Sequence, residues 1–118
     1  MIMVKRANER ETEVRHEMRG GKGDVTMIHS FRDAELGSPA RVCAEIDIEP
    51  GCSIGRHVHE NEEEVFYIID GTAKADDNGK EVILNVGDSL LTGGGAAHSI
   101  ENIGDKTLRV FAVVMKFA

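Results

Sequence analysis

The stretch Gly51–Gly71, GCSIGRHVHENEEEVFYIIDG, carries His57 and His59 one residue apart and Glu64 five residues further on. Successive side chains of a β-strand point to opposite faces, so residues two apart share a face. A strand through His57 and His59 therefore aims both imidazoles at one point. The run Glu60-Asn61-Glu62-Glu63 reads as a turn, and Glu64-Val65-Phe66-Tyr67-Ile68-Ile69, β-branched and aromatic, reads as the strand that returns. The return carries Glu64 back beside the histidines. Two neutral imidazoles and one carboxylate form a transition-metal donor set that leaves coordination positions free. His98, in the further run His98-Ser99-Ile100-Glu101-Asn102, is a fourth candidate.

The rest of the chain agrees with an all-β reading. Its 118 residues suit one domain with one core. There are four Phe, one Tyr and no Trp, so the core must be built from branched aliphatics. Thirteen Gly against two Pro leave the turns mostly to glycine. Upstream, Val25–Phe31 reads as a strand, with His29 as a histidine hydrogen-bonded within the sheet. Arg41–Ile48 alternates, with Val42, Ala44, Ile46 and Ile48 on one face and Arg41, Cys43, Glu45 and Asp47 on the other. Downstream, Thr72–Asp76 and Lys80–Leu84 flank Asn78-Gly79, the strongest hairpin signal in the sequence. Ser89–Thr92, the run from His98 and Leu108–Phe117 are further strands. Short strands with glycine turns spell a barrel or sandwich.

Residues 1–24 differ in charge. They hold six basic and five acidic residues, against eight and sixteen in the remainder. Thr12–Met18 alternates as an edge strand would, although a short helix from Asn8 competes through the Glu11–Arg15 spacing. Composition also excludes partners. A net charge of −7 disfavours nucleic acid, since phosphate binding needs a basic surface. No apolar run approaches the ~20 residues that span a bilayer, and Met1–Val4 is too short for a signal-peptide core. The expected location is the cytoplasm, with Cys43 and Cys52 as reduced, core-proximal thiols.

Two spaced patterns carry a family resemblance. The first is Gly51, five residues, His57, one residue, His59, four residues, Glu64, six residues, Gly71. The second, GDSLLTGGGAAHSIEN, places Gly87, Gly95, His98 and Asn102 in order. In both, the chain resembles the cupins, across Gly51–Asn102. It departs at Gly93, where the family usually has proline. The resemblance implies a double-stranded β-helix, the jelly-roll barrel of a small single-domain cupin, over residues 25–118. It also implies one divalent metal held by His57, His59, Glu64 and His98, and a homodimer contact through the 1–24 arm. Manganese, iron, nickel, copper and zinc all suit such a ligand set.

Strand parity then suggests the walls. With Glu64 facing inward, Phe66 and Ile68 follow it, and with His98 inward, Ile100 and Asn102 follow. Phe66, Ile68, Ile100 and Arg109 are the candidates for contact with a substrate. Glu62 and Glu63 are candidates for a general acid or base, though a charge run also reads as a solvated turn. Arg41 and Arg109 are strand arginines within reach of an anion, with surface packing as the plainer reading. Open metal positions call for a chelating ligand such as a 2-oxo acid, an oxalate-like dianion or a diol. Small cupins resembling this chain include oxalate-decarboxylase-like proteins, sugar-acid isomerases and dioxygenases. A metal-dependent lyase, isomerase or dioxygenase thus competes with a non-catalytic binding or sensing module for a small carboxylate or sugar acid. A storage role fits poorly, since storage cupins tend to lack the metal ligands.

Overall fold

The computed structural model describes residues 1–117. Ten strands run β1 (Glu11–His16), β2 (Asp24–His29), β3 (Ala40–Ile48), β4 (Ser53–Val58), β5 (Glu62–Asp70), β6 (Ala73–Asp77), β7 (Lys80–Leu84), β8 (Ser89–Gly93), β9 (Ala97–Asn102) and β10 (Leu108–Lys116). They form a six-stranded antiparallel sheet, in the order β1-β2-β3-β10-β5-β8, and a four-stranded one, β4-β9-β6-β7.

The order follows from one long hairpin rolled up. Its tip is the expected Asn78–Gly79 turn, with Asp77 opposite Lys80. Moving outward from that tip, β6 pairs with β7, β5 with β8, β4 with β9 and β3 with β10. Residues at equal distance from the tip therefore oppose each other: Ala73 and Leu84, Glu64 and Thr92, His57 and His98, Ile48 and Leu108. This nesting is the double-stranded β-helix expected from the sequence. It is also what brings the two motifs together, since the first lies on β4 and β5 and the second around β8 and β9.

Period-2 patterning fills the core. On β10, Leu108, Val110, Ala112 and Val114 are buried while Arg109, Phe111 and Val113 face out. Leu108, Val110 and Ala112 pack with Val25, Met27, Ala44, Ile46, Ile48, Phe66 and Ile68 against Ile54, Ala75 and Ile100 of the other sheet. Each fully buried Ile, Phe or Leu contributes about 1.5–3 kcal/mol relative to exposure. The edges of the hairpin are clasped by Asn102. Its Nδ2 donates to the carbonyls of Ile48 at 2.7 Å and Lys106 at 2.8 Å, and its Oδ1 accepts from Gly104 N at 2.8 Å. Gly71, which ends the first motif, takes φ +91 and lies against Leu108, so a side chain there would be strained and crowded.

The alternation at Thr12–Met18 appears as β1, the edge strand, paired in register with β2 of the same chain. The competing helix is confined to one 3-10 turn, Ala7–Glu9. His29 is buried in the sheet and bonded to Glu13 Oε1 at 2.7 Å, as expected for a sheet histidine. The acidic turn is shorter than expected: β5 already begins at Glu62, so the turn is Glu60–Asn61, with Asn61 in the left-handed region at φ 56.

Candidate metal centre

The site lies between the sheets, at the end where β4 leaves and β5 enters. His57 is on β4 and His98 lies opposite it on β9. His59 follows the end of β4 and is fixed by backbone bonds His59 N to Ala96 O, 3.1 Å, and Gly95 N to His59 O, 3.0 Å. Glu64 approaches from β5 in the facing sheet. A bulge makes this convergence possible: the β4–β9 register shifts between Ile54 and His57. One extra residue inverts the alternation, so Ile54 and His57, three apart, both face inward.

The four expected ligand residues come together, with one ligand atom of each within 4.8 Å of the others, and they could hold a metal ion. His98 Nε2 lies 2.9 Å from His59 Nε2 and 3.2 Å from His57 Nε2. Glu64 Oε1 lies 2.9 Å from the Nε2 atoms of His59 and His98 and 4.0 Å from that of His57. The opposite ring nitrogens are all engaged. Nδ1 of His57 donates to the Gly55 carbonyl at 2.8 Å, and Nδ1 of His59 donates to Glu62 Oε1 at 2.9 Å. Thr92 Oγ1 holds Nδ1 of His98 at 2.9 Å. A carbonyl and a carboxylate only accept, so the protons of His57 and His59 reside on Nδ1 and their Nε2 lone pairs point inward. Imidazole nitrogens and a carboxylate oxygen gathered this closely need a proton or a metal ion among them, and without metal the Glu64 carboxylate accepts from the rings of His59 and His98. Side-chain and backbone partners behind the ligand rings, as here, are the usual support of a metal site.

Burial and hydrogen bonding together set the protonation tendencies. The His57 pKa is lowered, first by burial and then by its histidine neighbours, despite the bond to Gly55. That of His59 is raised, chiefly by its bond to Glu64. Burial pushes the Glu64 carboxyl up, but hydrogen bonds from His59 and His98 outweigh it and leave its pKa lowered. Phe66 stacks on the His98 ring at 4.7 Å and 6°, fixing the plane of a side chain with no solvent exposure.

The remaining candidate residues divide. Phe66 lines the cavity beside the ligands. Ile68 and Ile100 face inward but belong to the sealed core. Arg109 faces the other side of the sheet, where it grips Glu45 at 2.9 and 3.1 Å, because β10 buries Leu108 and Val110 and so turns Arg109 outward. Glu63 alternates away from Glu62 and Glu64, beside Gly93 and Met115. Glu62 is clamped by Arg41 through two bonds of 2.6 Å, which holds its pKa at about 2, with His59 adding to the effect.

Arg41 itself departs from its expected face. The β3–β10 register passes from Val42–Val114 to Ala40–Met115, leaving Arg41 as the extra residue of a bulge. The bulge re-aims it toward Glu62 and the cavity. Thr92, buried opposite Glu64, is a site residue that the sequence reading missed. Its signal was its place in the second motif, six residues before His98. Arg15 and Arg19, which also border the cavity, gave no signal before the chain was folded.

Comparison with known proteins places this geometry among relatives. Residues 44–114 match the family model described as "Cupin domain". An "Oxalate-binding protein" of Thermotoga maritima is 42% identical over 113 residues, covering 96% of this chain and 93% of its own. The crystal structure of a "predicted oxalate decarboxylase" from Thermotoga maritima superimposes with a TM-score of 0.93 at 41% identity, over 98% of this chain and all of that one. The polyketide cyclase RemF of Streptomyces resistomycificus shares the fold, with a TM-score of 0.80 at 19% identity, over the whole of this chain and 81% of its own.

Proposed function

The chain belongs to the cupin family, and on that premise we propose that it binds a small oxygen-chelating dianion of the oxalate class on one divalent transition metal. His57, His59, Glu64 and His98 would hold the ion. The observation that carries this reading is the convergence of Nε2 lone pairs and the Glu64 carboxylate, with each imidazole pinned from behind. The donor set of three imidazoles and one carboxylate suits manganese, iron, nickel, copper or zinc and leaves room for further ligands. When bound, such an ion supplies Lewis acidity toward a carboxylate or carbonyl oxygen.

The cavity selects for size. It measures about 40 Å³. A space of that size suits a ligand of a few heavy atoms. The name of the Thermotoga maritima relative points to the same chemical class.

Binding is favoured over turnover because neither acid at the mouth is a ready proton carrier. Glu62 is locked between Arg41 and His59 with its pKa at about 2, and Glu63 faces elsewhere. The chain's own residues thus orient and desolvate the ligand rather than protonate it. Calorimetry with oxalate and a 2-oxo acid, on metal-loaded and metal-free protein, tests the reading. Tight binding only with metal is expected. Equal affinity in both forms would sink it, and turnover of oxalate or a 2-oxo acid would move the protein to the lyase or dioxygenase reading.

A further inference from the structure

Resting on that reading, we infer that Arg19, carried by the N-terminal segment, is the second anchor of the ligand and makes the site selective for dianions. Three arginines border the cavity that holds His57, His59 and Glu64: Arg15, Arg19 and Arg41. Arg41 is neutralised by Glu62. Arg15 lies 3.0 Å from Glu13. Arg19 alone of the three has no ion pair among the described residues. With Arg15 and Arg41 balanced, a divalent ion, the Glu64 carboxylate and Arg19 leave two positive charges unmet, which is the charge of a small dicarboxylate.

The backbone around Arg19 is held in an uncommon conformation. Glu17 (φ 48, ψ 45) and Arg19 (φ 55, ψ 29) are both left-handed although neither is glycine. Such residues persist where their surroundings over-determine them, and they cluster at ligand clamps. Here the surroundings are the strand that bears His57. Ser53 N donates to the Lys22 carbonyl at 2.9 Å, and Lys22 N donates to Ser53 Oγ at 3.0 Å. Gly55 has no room for a Cβ against the Arg19 carbonyl, and Gly21 has none against that of Ser53. The Gly55 carbonyl in turn anchors His57 Nδ1. The backbone of Arg19 is therefore fixed against the residue that orients a metal ligand, while its exposed side chain stays free to close on what the metal holds.

Chelation geometry completes the argument. An oxalate-like dianion that offers two oxygens to the ion turns its other two away, and a guanidinium fork matches such a pair in bidentate fashion. A monocarboxylate held the same way has no oxygen left for Arg19.

The test compares metal-loaded wild type, Arg19→Gln and Arg19→Lys by calorimetry with oxalate and with acetate, with the metal content of each measured by elemental analysis. Losing a charge-assisted pair should weaken oxalate on the order of ten- to hundredfold in Arg19→Gln, at unchanged metal content. Arg19→Lys should recover part of the loss, and acetate should respond little. Equal oxalate affinity in wild type and Arg19→Gln overturns the role of Arg19 and leaves the metal-anion reading standing. Loss of metal from Arg19→Gln also overturns it, since Arg19 would then support the centre and not the ligand. A metal-loaded wild type that binds no oxalate overturns both.

Discussion

Glu62 and His59 are joined by a 2.9 Å hydrogen bond from Nδ1 to Oε1, and that carboxylate is gripped from behind by Arg41 at 2.6 Å. The pair fixes the tautomer that leaves His59 Nε2 free for a metal. Removing an orienting partner of this kind typically costs about 10–100-fold in metal affinity. Glu62→Ala is therefore expected to weaken metal binding by that range, with Glu62→Gln milder because its amide oxygen can still accept from Nδ1. Competitive titration against a metal-binding dye measures both. Unchanged affinity in Glu62→Ala would show that Arg41 and Glu62 serve the surface alone.

Of the four residues that could hold the ion, His98 alone has no solvent exposure, and it is stacked on Phe66 and tied to Thr92. His98→Ala should bring metal content below about a tenth of an ion per chain after reconstitution. A ligand that binds only the native state stabilises it by mass action. Added metal should therefore raise the melting temperature of wild type and leave that of His98→Ala in place. A rise of the same size in both would move the ion elsewhere.

The cluster that could hold a metal was legible because its four residues sit in two spaced motifs, and the inward set Glu64, Phe66 and Ile68 because β5 alternates without interruption. The fold was legible through Asn78–Gly79, the tip of the rolled hairpin. What escaped lies at breaks in the period. The bulge that frees Arg41 from its expected face leaves no mark in the composition of β3. Arg109 is different: the alternation of β10 already turned it away from the site, and the expectation that it contacts substrate followed its charge and not its parity. Arg19 reaches the cavity only through the long-range packing of Gly21 on Gly55, which no local pattern encodes.

Protons compete with metal for the same lone pairs. His59 has its pKa raised, chiefly by Glu64, so in the metal-free protein its protonated form persists to higher pH than for an ordinary histidine. Metal affinity should accordingly begin to weaken at a pH above the ordinary histidine value of about 6.5 and fall further as pH drops, with release of metal at acid pH. A titration of bound metal from pH 8 to about 5 reads this out. Affinity flat over that range would argue against imidazole ligands.

The 1–24 arm is expected to support a homodimer, since exposed edges such as β1 tend to be paired or covered. Val14, Tyr67 and Leu91 are exposed apolar side chains on strands of the sheet that β1 borders. Mass in solution should correspond to two chains, and removal of residues 1–24 should yield monomer or aggregate. A shortened chain that stays dimeric and equally stable would place the contact elsewhere.

On the outer face of β3, Asp47 and Glu45 sit two residues apart beside Arg109. Arg109 holds Glu45 at about 2, while burial, then the Glu45 carboxylate, pushes Asp47 up to about 7. Asp47 Oδ1 is buried without a hydrogen-bond partner. A carboxyl whose folded pKa lies above its unfolded value binds more protons when folded, so it destabilises progressively as pH rises from about 4 to 7. Glu45 has the opposite sign. Its contribution is present above its unfolded pKa and is lost as pH falls toward 2. Asp47→Asn removes the first effect and leaves Glu45 held chiefly by Arg109. The variant should melt roughly a few degrees higher than wild type at pH 8. The gap should close toward pH 4, where Asp47 is neutral in wild type too. Melting temperatures across that range decide the matter: a variant that melts lower than wild type at pH 8 would mean that Asp47 is charged there and paired with Arg109, and a gap independent of pH would mean that its pKa does not change on folding.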